Sequence, residues 1–322
     1  MLLCLTKIDD LPAVEKNFER ICKLKGWKLI CKNAPKLEEL QEIASDVRVI
    51  FMNPNKSHIE FSSENLGKFP KLEVFCTAST GTIHIDLDAA RNQGVDVISI
   101  KKFEEVLSTI PSTAELAFTL TMDGLRKVTQ SHNDVMENHS WNFENFIGKQ
   151  IKDLNVAVVG YGRLGKIYSK MMQDAGAEID LLDPRLSLNF EADCNEFLSK
   201  ADRYDVVALH LHAEGNEHFI SDRFFNVFKK DVVLVNTSRG EIVDHDALFN
   251  FLDATPTATY CTDVVPHESL DGARNEMLRK FKSRNNILIT QHIGGMSSGA
   301  RQTAFGLASK LLSDHLENPL HE

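Results

Sequence analysis

The sequence predicts an α/β protein made of two doubly wound parallel-sheet domains. Short apolar runs alternate with amphipathic segments twice, once before residue 101 and again after residue 150. The chain has 322 residues, which is enough for two domains that each bury a sizeable core. A glycine-rich turn near the start of the second alternation lies between an apolar run and a helical pattern, as expected of a βαβ unit.

The first alternation contains apolar runs that are typical of buried strands. They cover residues 2–5, 28–31, 47–52, 72–76 and 95–100. Between them lie helical patterns with one charged face. Strands that alternate with helices pair in parallel and are covered on both faces, so we expect a doubly wound sheet here.

The segment that joins the two alternations, residues 101–115, offers a helix start. Ser112 can cap this helix while the Glu115 side chain reaches back to the Ser112 amide, which is the capping-box pattern. The apolar spacing then predicts a long helix over residues 116–125, in spite of Gly124.

The second alternation predicts strands at residues 156–159, 179–182, 205–211, 232–235, 260–264 and 287–290. A helical pattern over residues 297–316 follows the last strand and can return to the first domain. The sequence therefore predicts one domain of residues 1–100 and 294–322 and a second domain of residues 101–293. Two helices that connect such domains suit a cleft that opens and closes.

The first strand of the second alternation runs directly into a turn that contains Gly160, Gly162 and Gly165. In this spacing the first glycine permits a tight turn, the second lets the backbone approach a pyrophosphate, and the third allows close packing of helix on strand. The N–H groups and the dipole at the helix start favour a phosphate charge. The turn predicts a dinucleotide cofactor, with a purely structural glycine turn as the alternative.

Asp183 ends the next predicted strand, at the distance expected of an acid that binds ribose hydroxyls. A carboxylate there repels a 2′-phosphate, so the sequence favours NAD over NADP. Arg185 lies two residues further on and can weaken that preference. The alternative is a solvated aspartate without a ligand.

The composition argues against several classes of function. The formal net charge is −10, which disfavours nucleic acid or an anionic membrane surface as the main partner. No apolar run approaches the roughly 20 residues of a membrane-spanning helix, and the first residues do not form a signal peptide. We therefore expect a cytoplasmic protein with neither a nucleic-acid nor a membrane partner.

The sequence predicts no metal site. The six cysteines are scattered, without a C-x-x-C pair or a histidine at ligand spacing, and we expect most of them to be small buried hydrophobic residues. His210 and His212 alternate along a predicted strand and so project from one face, but no third ligand accompanies them. Packing or hydrogen bonding at the strand end is the favoured role.

Polar residues follow three predicted strands of the second alternation, where ligands bind in open parallel sheets. Arg239 can clamp a carboxylate through two parallel hydrogen bonds, or it can be a surface ion-pair residue. His292 can give and take a proton near neutral pH, with a hydrogen-bonded core histidine as the alternative. Asp263 and Glu268 follow the strand between these two, and a carboxylate beside a histidine fixes its tautomer.

Five segments in this order resemble the D-isomer-specific 2-hydroxyacid dehydrogenase family, in a form similar to phosphoglycerate dehydrogenase without a regulatory domain. They are the glycine turn, Asp183, Asn236-Thr-Ser-Arg-Gly240, Asp263-Val-Val-Pro-His-Glu268 and Gln291-His-Ile-Gly-Gly295. The resemblance extends to residues 80–90 in the first domain. It implies a Rossmann-like cofactor domain and a flavodoxin-like substrate domain. The implied activity is hydride transfer between NAD(H) and the C2 of a small 2-hydroxy or 2-oxo acid, with D-stereospecificity.

The resemblance also implies roles for individual residues. Arg239, Glu268 and His292 form the implied catalytic set, in which His292 supplies the proton and Arg239 pairs with the substrate carboxylate. Asp263 is similar to the acid that faces the nicotinamide carboxamide. The implied cofactor-binding residues are Gly160, Tyr161, Gly162, Arg163, Leu164, Gly165, Asp183, His210, Thr237, Asp263 and Gly294. The implied substrate-binding residues are Asn53, Ser79, Thr80, Gly81, Arg239 and His292.

The sequence leaves the acid itself open. Phosphoglycerate-using members of the family carry arginines in the loop after the third strand, where this chain has only Lys56 within residues 52–56, so phosphoglycerate is disfavoured. Lys56 can meet an anionic group or be a solvated lysine. The family implies a homodimer with contacts from residues of about 116–150. The alternative function is that of an NAD-sensing, co-repressor-like binding protein without significant turnover.

Overall fold

The structure is a computed structural model that describes residues 1–53, 59–82, 84–268 and 270–317. Lys56, a candidate anion contact, lies outside the described residues. The chain divides into two compact units, the first of Met1–Ile110, Ser269–Asp271 and Met296–Glu322 and the second of Pro111–Glu268 and Gly272–Gly295. The first break falls after Ile110, and Leu107 lies in the core of the first unit with Ile110 packed against it.

The first part of the chain alternates strands and helices along its whole length. Its elements are β1 (Leu2–Cys4), α1 (Pro12–Lys25), β2 (Leu29–Cys31), α2 (Gln41–Ala44), β3 (Val49–Met52), α3 (Ser63–Leu66), β4 (Val74–Thr77), α4 (Leu87–Asn92), β5 (Asp96–Ser99) and α5 (Glu104–Ser108). Each predicted strand of this part is present, shorter by one or more residues than the apolar run that predicted it.

The second part begins with two helices before its own alternation of strands and helices. Its elements are α6 (Ser112–Arg126), α7 (Val128–Asn138), β6 (Asn155–Val159), α8 (Arg163–Asp174), β7 (Glu178–Leu182), α9 (Phe190–Ser199), β8 (Val206–Leu209), α10 (Asp222–Phe225), β9 (Val233–Asn236), α11 (His245–Ala254), β10 (Thr259–Thr262), α12 (Asp271–Lys282) and β11 (Ile287–Ile289). The last helix, α13 (Ser298–Glu317), returns to the first unit and packs against α1.

The five strands of the first unit form a parallel sheet in the order β2-β1-β3-β4-β5. This is the flavodoxin-like order. On one face, where α1 and α13 lie, Phe51 packs edge to face with Phe18 and Phe305. The other face packs around Phe61 and Phe75. Because both faces are covered, the central strands β1 and β3 are apolar throughout rather than alternating.

The second unit contains a six-stranded parallel sheet in the order β11-β10-β9-β8-β6-β7. Strand order reverses at β6, which lies between β7 and β8, and ligands bind at such switch points. Val159 pairs in register with Leu182 and with Leu209, so the carboxyl ends of these strands meet at one edge. Within the described residues no strand pairs outside β7, where a full Rossmann fold has its third strand. The predicted fold class, two doubly wound parallel sheets, is confirmed.

Helix α6 begins at Ser112 but lacks the predicted capping box. The Ser112 hydroxyl instead donates a 2.6 Å hydrogen bond to the Gly294 carbonyl oxygen, in the loop after β11. The long helix itself is present and passes Gly124. A Cβ at Gly124 would lie 2.7 Å from Val233 Cγ1 and 2.9 Å from Cys261 Sγ, so α6 needs glycine to lie this close to the sheet.

The described residues show no disulfide bond, no membrane-spanning helix and no metal-binding cluster. All six cysteines are unpaired and five are buried, with Cys31 as the exposed exception. None of the described helices combines the length and apolarity that a membrane crossing needs. The described residues also contain no cluster of three or more His, Cys, Asp or Glu side chains that could hold a metal ion.

Gly124→Ala is expected to lower the free energy of unfolding by about 1–3 kcal/mol, because the added methyl overpacks a buried contact between helix and sheet. Gly306→Ala in α13 is the matched control, since a Cβ there has nothing within 4 Å. The control should be neutral or stabilising by up to about 1 kcal/mol through helix propensity. Urea unfolding followed by circular dichroism measures both variants, and an unchanged stability of Gly124→Ala would contradict the close packing.

Candidate functional site

The glycine turn connects β6 to α8 at the switch point of the six-stranded sheet. Gly160 has a φ of +97°, and a Cβ there would lie 2.6 Å from the backbone carbonyl of His210. A Cβ at Gly165 would lie 2.1 Å from the Gly160 carbonyl oxygen. Backbone packing therefore requires both glycines, in the positions where the sequence pattern has them.

The start of α8 is open to an anion. Gly162 is the N-cap residue and offers no side chain to the backbone N–H groups of the first turn. The positive end of the helix dipole lies with these N–H groups. Among the described residues beyond its chain neighbours, only the Arg185 guanidinium lies within 4 Å of a Cβ built at Gly162. Tyr161, Arg163 and Leu164 lie around the turn and are half-buried. These features fit the pyrophosphate of a dinucleotide.

Asp183 lies at the carboxyl end of β7 with its side chain 2% exposed. Its Oδ1 accepts hydrogen bonds from the backbone N of Arg185 at 2.8 Å and from Arg185 Nε at 3.0 Å. Its Oδ2 accepts from Arg185 Nη2 at 2.7 Å and from the backbone N of Tyr161. The Arg185 guanidinium is the main reason that the pKa of Asp183 falls to about 2. The predicted ribose-binding acid is thus ionised and already holds a cation.

Two polar side chains near this edge are buried without a partner. Strand β8 ends at Leu209, so the prediction that His210 and His212 alternate within a strand is wrong. His212 is exposed, whereas both ring nitrogens of His210 are buried and have no hydrogen-bond partner among the described residues. Burial lowers the pKa of His210 to about 4, which keeps the ring neutral. The Thr237 hydroxyl after β9 is buried without a described partner as well. A bound cofactor fits here because it can supply the missing hydrogen bonds.

Asp263 follows β10 and is buried. Its carboxylate accepts hydrogen bonds from Thr290 Oγ1 at 2.5 Å, from Ile293 N at 2.8 Å and from Gly294 N at 2.8 Å. Burial raises the pKa of Asp263, and these three donors partly offset the effect. A Cβ at Gly294 would lie 3.1 Å from Asp263 Oδ2, so glycine permits the close approach. Asp263 therefore ties the loop after β11 to the loop after β10.

His292 lies in the loop that Asp263 holds, with a left-handed backbone at φ +53°. Its Nδ1 is 2.6 Å from Glu268 Oε2, and Glu268 Oε1 accepts a 3.0 Å hydrogen bond from the backbone N of Val265. Both side chains are half-buried. Arg274 Nη1 donates to the Glu268 carbonyl oxygen at 2.7 Å and so holds the backbone of this loop. A histidine held by a carboxylate at one ring nitrogen can exchange a proton through the other.

Arg239 lies in the loop after β9, on the same edge of the sheet. A Cβ at the next residue, Gly240, would lie 2.1 Å from the carbonyl carbon of Val265, so the two backbones are in direct contact. This contact joins the loop of Arg239 to the loop that carries Glu268. Arg239 Nη1 donates to the Ser238 carbonyl oxygen at 2.6 Å, and its side chain is half-buried. An arginine held in this way is suited to bind a carboxylate.

The predicted substrate-binding residues of the first unit follow β3 and β4. Asn53 is buried beside the end of β3, with Nδ2 3.9 Å from Met296 Sδ. Ser79, Thr80 and Gly81 follow β4, and the Ser79 hydroxyl donates to the Gly81 carbonyl oxygen at 2.6 Å. All four residues therefore lie at the carboxyl edge of the five-stranded sheet, where ligands bind in this class of fold.

Two residues that build the site were not predicted from the sequence. Thr290 orients Asp263, and Ser112 holds the carbonyl oxygen of Gly294. A hydroxyl in the last position of a predicted strand was the only signal for Thr290. Ser112 was misread because the local S-x-x-E pattern predicts a cap, while its real partner is 182 residues away.

The chain is similar to known proteins over most of its length. A family model described as "D-isomer specific 2-hydroxyacid dehydrogenase, NAD binding domain" matches residues 118–294. A glyoxylate reductase of Thermococcus litoralis is 26% identical over 311 residues, which cover 92% of this chain and 88% of that protein. A D-lactate dehydrogenase of Lactobacillus delbrueckii subsp. bulgaricus is 27% identical over 286 residues, which cover 80% of this chain and 85% of that protein.

The fold has solved relatives as well. The D-lactate dehydrogenase of Aquifex aeolicus, solved with NAD and lactic acid, superposes with a TM-score of 0.76 at 19% identity, covering 98% of this chain and 95% of that one. The pyruvate reductase of Chlamydomonas reinhardtii superposes with a TM-score of 0.79 at 20% identity, covering 100% of this chain and 98% of that one. At these identities the likeness establishes the fold.

Asp183 is expected to stabilise the fold at neutral pH and to lose this effect in acid, because its folded pKa of about 2 lies below that of an unfolded chain. The contribution is present above a pH of about 4 and falls as the pH drops toward 2. Asp183→Asn should therefore lower the free energy of unfolding by roughly 1–2 kcal/mol at pH 7 and by about half as much at pH 3. Urea unfolding of both proteins at the two pH values measures this, and an equal difference at both would contradict the ion pair.

Proposed function

The chain belongs to the D-isomer specific 2-hydroxyacid dehydrogenase family, and from this premise we propose that Arg239, Glu268 and His292 form its catalytic site. The protein is an NAD-dependent oxidoreductase that acts on the CH–OH group of 2-hydroxy acids. The bound cofactor would supply a hydride to the substrate C2 as NADH and accept one from it as NAD⁺. The observation that carries the residue assignment is the 2.6 Å contact between His292 Nδ1 and Glu268 Oε2.

His292 is the proposed proton donor in the direction of reduction and the acceptor in the direction of oxidation. Because Nδ1 is engaged with Glu268, the proton is exchanged through Nε2. Glu268 acts through His292: it fixes the tautomer and stabilises the imidazolium when the ring is protonated. Glu268 is thus a positioning residue, and its own position is set by the backbone N of Val265.

Arg239 is the proposed partner of the substrate carboxylate and of the C2 oxygen. Its planar guanidinium can bind a carboxylate through two parallel hydrogen bonds, which orients the substrate. A fixed positive charge beside the C2 oxygen also stabilises the negative charge that develops there during reduction. In the first unit, the proposed substrate-binding residues are Asn53, Ser79, Thr80 and Gly81.

The proposed cofactor site follows the carboxyl edge of the six-stranded sheet. Gly162 and the first turn of α8 would hold the pyrophosphate, and Asp183 the adenosine ribose. The Thr237 hydroxyl and the His210 ring, which lack a hydrogen-bond partner among the described residues, would form hydrogen bonds with the cofactor. Asp263 would act by holding the loop after β11 in place through the backbone N of Gly294. We assign the second unit as the NAD-binding domain, since it contains the family match at residues 118–294 except for residues 269–271, and the first unit as the substrate domain.

The proposed substrate is a small 2-oxo or 2-hydroxy acid, and the D-isomer is the proposed product of reduction. Relatives are named glyoxylate reductase, hydroxypyruvate reductase and D-lactate dehydrogenase, so glyoxylate, hydroxypyruvate and pyruvate are the first acids to test. The pairing of His292 with Glu268 favours turnover over an NAD-sensing role, because a sensor needs no proton donor.

We propose that the protein is a cytoplasmic homodimer without a nucleic-acid partner. Six unpaired cysteines suit a reducing compartment, and a net charge of −10 disfavours nucleic acid. The proposed dimer segment, residues 116–150, exposes large apolar side chains that a second copy would cover. They are Val128, Met136, Trp141, Phe143 and Ile147.

His292→Gln is expected to lower kcat for reduction of the preferred 2-oxo acid by about 10²–10⁴-fold, because the proton donor is lost. NADH binding, measured by fluorescence titration, should be unchanged. His267→Ala is the matched control, since His267 is an exposed histidine on the loop beside Glu268 and should retain full activity. Steady-state kinetics at pH 7 measure both variants. If His292→Gln keeps wild-type kcat, the proposed role of His292 is wrong.

Combined Trp141→Asp and Phe143→Asp substitutions are expected to convert the dimer to monomer, because two charges would be buried in an apolar contact. These side chains are 93% and 76% exposed in the single chain. Leu24→Asp is the control, since Leu24 is 62% exposed in α1, outside the segment. Sedimentation velocity separates the two states, and a wild-type protein that sediments only as monomer would remove the proposed dimer.

A further inference from the structure

We propose that Arg185 makes the ribose site accept NADPH as well as NADH, by pairing with a 2′-phosphate that Asp183 alone would repel. The inference rests on the proposed cofactor site, in which Asp183 receives the adenosine ribose. An aspartate in that position normally selects against the 2′-phosphate, and a nearby arginine normally accommodates it. This chain carries both residues, and the structure shows how they are connected.

The Asp183 carboxylate is saturated with hydrogen bonds. A carboxylate offers about four lone-pair positions, and Asp183 uses them on Arg185 N, Nε and Nη2 and on the backbone N of Tyr161. The hydroxyls of an NADH ribose must therefore compete with the Arg185 guanidinium for the same oxygens. The usual advantage of NADH at an acidic ribose site is thereby reduced.

The guanidinium also compensates the charge that would repel a phosphate. Its Nη2 lies 2.7 Å from Asp183 Oδ2, so the pair presents almost no net charge to a 2′-phosphate. The Arg185 side chain is 64% exposed, while the Asp183 side chain is 2% exposed. The cation is therefore the accessible half of the pair, and an approaching anion meets it first.

Arg185 keeps donors for a further anion. An arginine has five N–H donors, and within the described residues Asp183 takes one from Nε and one from Nη2. The others can bind phosphate oxygens while the ion pair stays intact. Arg185 Nη2 would lie 3.3 Å from a Cβ at Gly162, which puts the guanidinium beside the turn that receives the pyrophosphate.

The first test compares the two cofactors on the wild-type full-length chain. Fluorescence titration with NADH and with NADPH gives the two dissociation constants, and calorimetry with 5′-ADP and 2′,5′-ADP isolates the ribose half of the site. We expect the constants for NADPH and NADH to differ by less than about 10-fold. Tight NADH binding with NADPH weaker by more than about 100-fold would overturn the inference and leave the cofactor site standing. Failure of both to bind would overturn the inference together with the cofactor site.

The second test removes the guanidinium. Arg185→Ala should weaken NADPH and 2′,5′-ADP by about 10–100-fold, because a charge-assisted bidentate contact is lost, while NADH stays the same or binds more tightly. Arg185→Lys keeps the positive charge but loses the planar guanidinium, so its affinity for NADPH should lie between those of the wild type and Arg185→Ala. Such a graded loss would also distinguish a lost contact from misfolding of the alanine variant. Arg203→Ala is the matched control, since Arg203 is 57% exposed and lies 3.7 Å from Asp180 of β7. An equal loss of NADH and NADPH in Arg185→Ala would contradict the proposal.

Discussion

The buried Asp263 carboxylate is the interaction on which the candidate site depends. It lies at the end of β10 and accepts hydrogen bonds from Thr290, Ile293 and Gly294 of the neighbouring loop. An isolated carboxylate would be costly to bury, so these donors are the condition for its presence in the core. Since His292 lies inside that loop and Glu268 follows Asp263 on the other, one buried group connects the two loops that carry the His292–Glu268 pair.

The parallel sheet explains why the remaining groups gather at the same edge. In-register pairing aligns the ends of β6, β7, β8, β9 and β10, and each strand is followed by a loop with a polar side chain. Gly160 and Gly240 let these loops contact one another through backbone atoms, and Gly165 lets α8 lie against the turn that precedes it. A side chain at any of them would overlap a neighbouring carbonyl. The sheet aligns the strand ends, and the glycines allow close backbone contact at the loops that follow.

The sequence was sufficient to predict the fold and to propose residues for the site, but it could not determine the geometry of the site. Apolar runs located each strand because both faces of the sheets are buried, although the predicted and observed strand ends differ by one or more residues. The predicted end of β8 was wrong, because His210 and His212 lie beyond this strand. The Ser112 cap failed because a distant carbonyl oxygen competes for its hydroxyl. Ion pairs such as Asp183 with Arg185 depend on side-chain conformations that residue spacing alone does not determine.

The configuration of the reduced product tests the account most directly. With His292 as the proposed proton donor and the glycine turn as the proposed cofactor site, hydride should reach one face of the C2 carbonyl, so a prochiral 2-oxo acid should give a product of one configuration. Reduction of a prochiral 2-oxo acid such as pyruvate with NADH, followed by chiral chromatography, measures this. The account predicts the D-2-hydroxy acid alone. A racemic or L-configured product would contradict it.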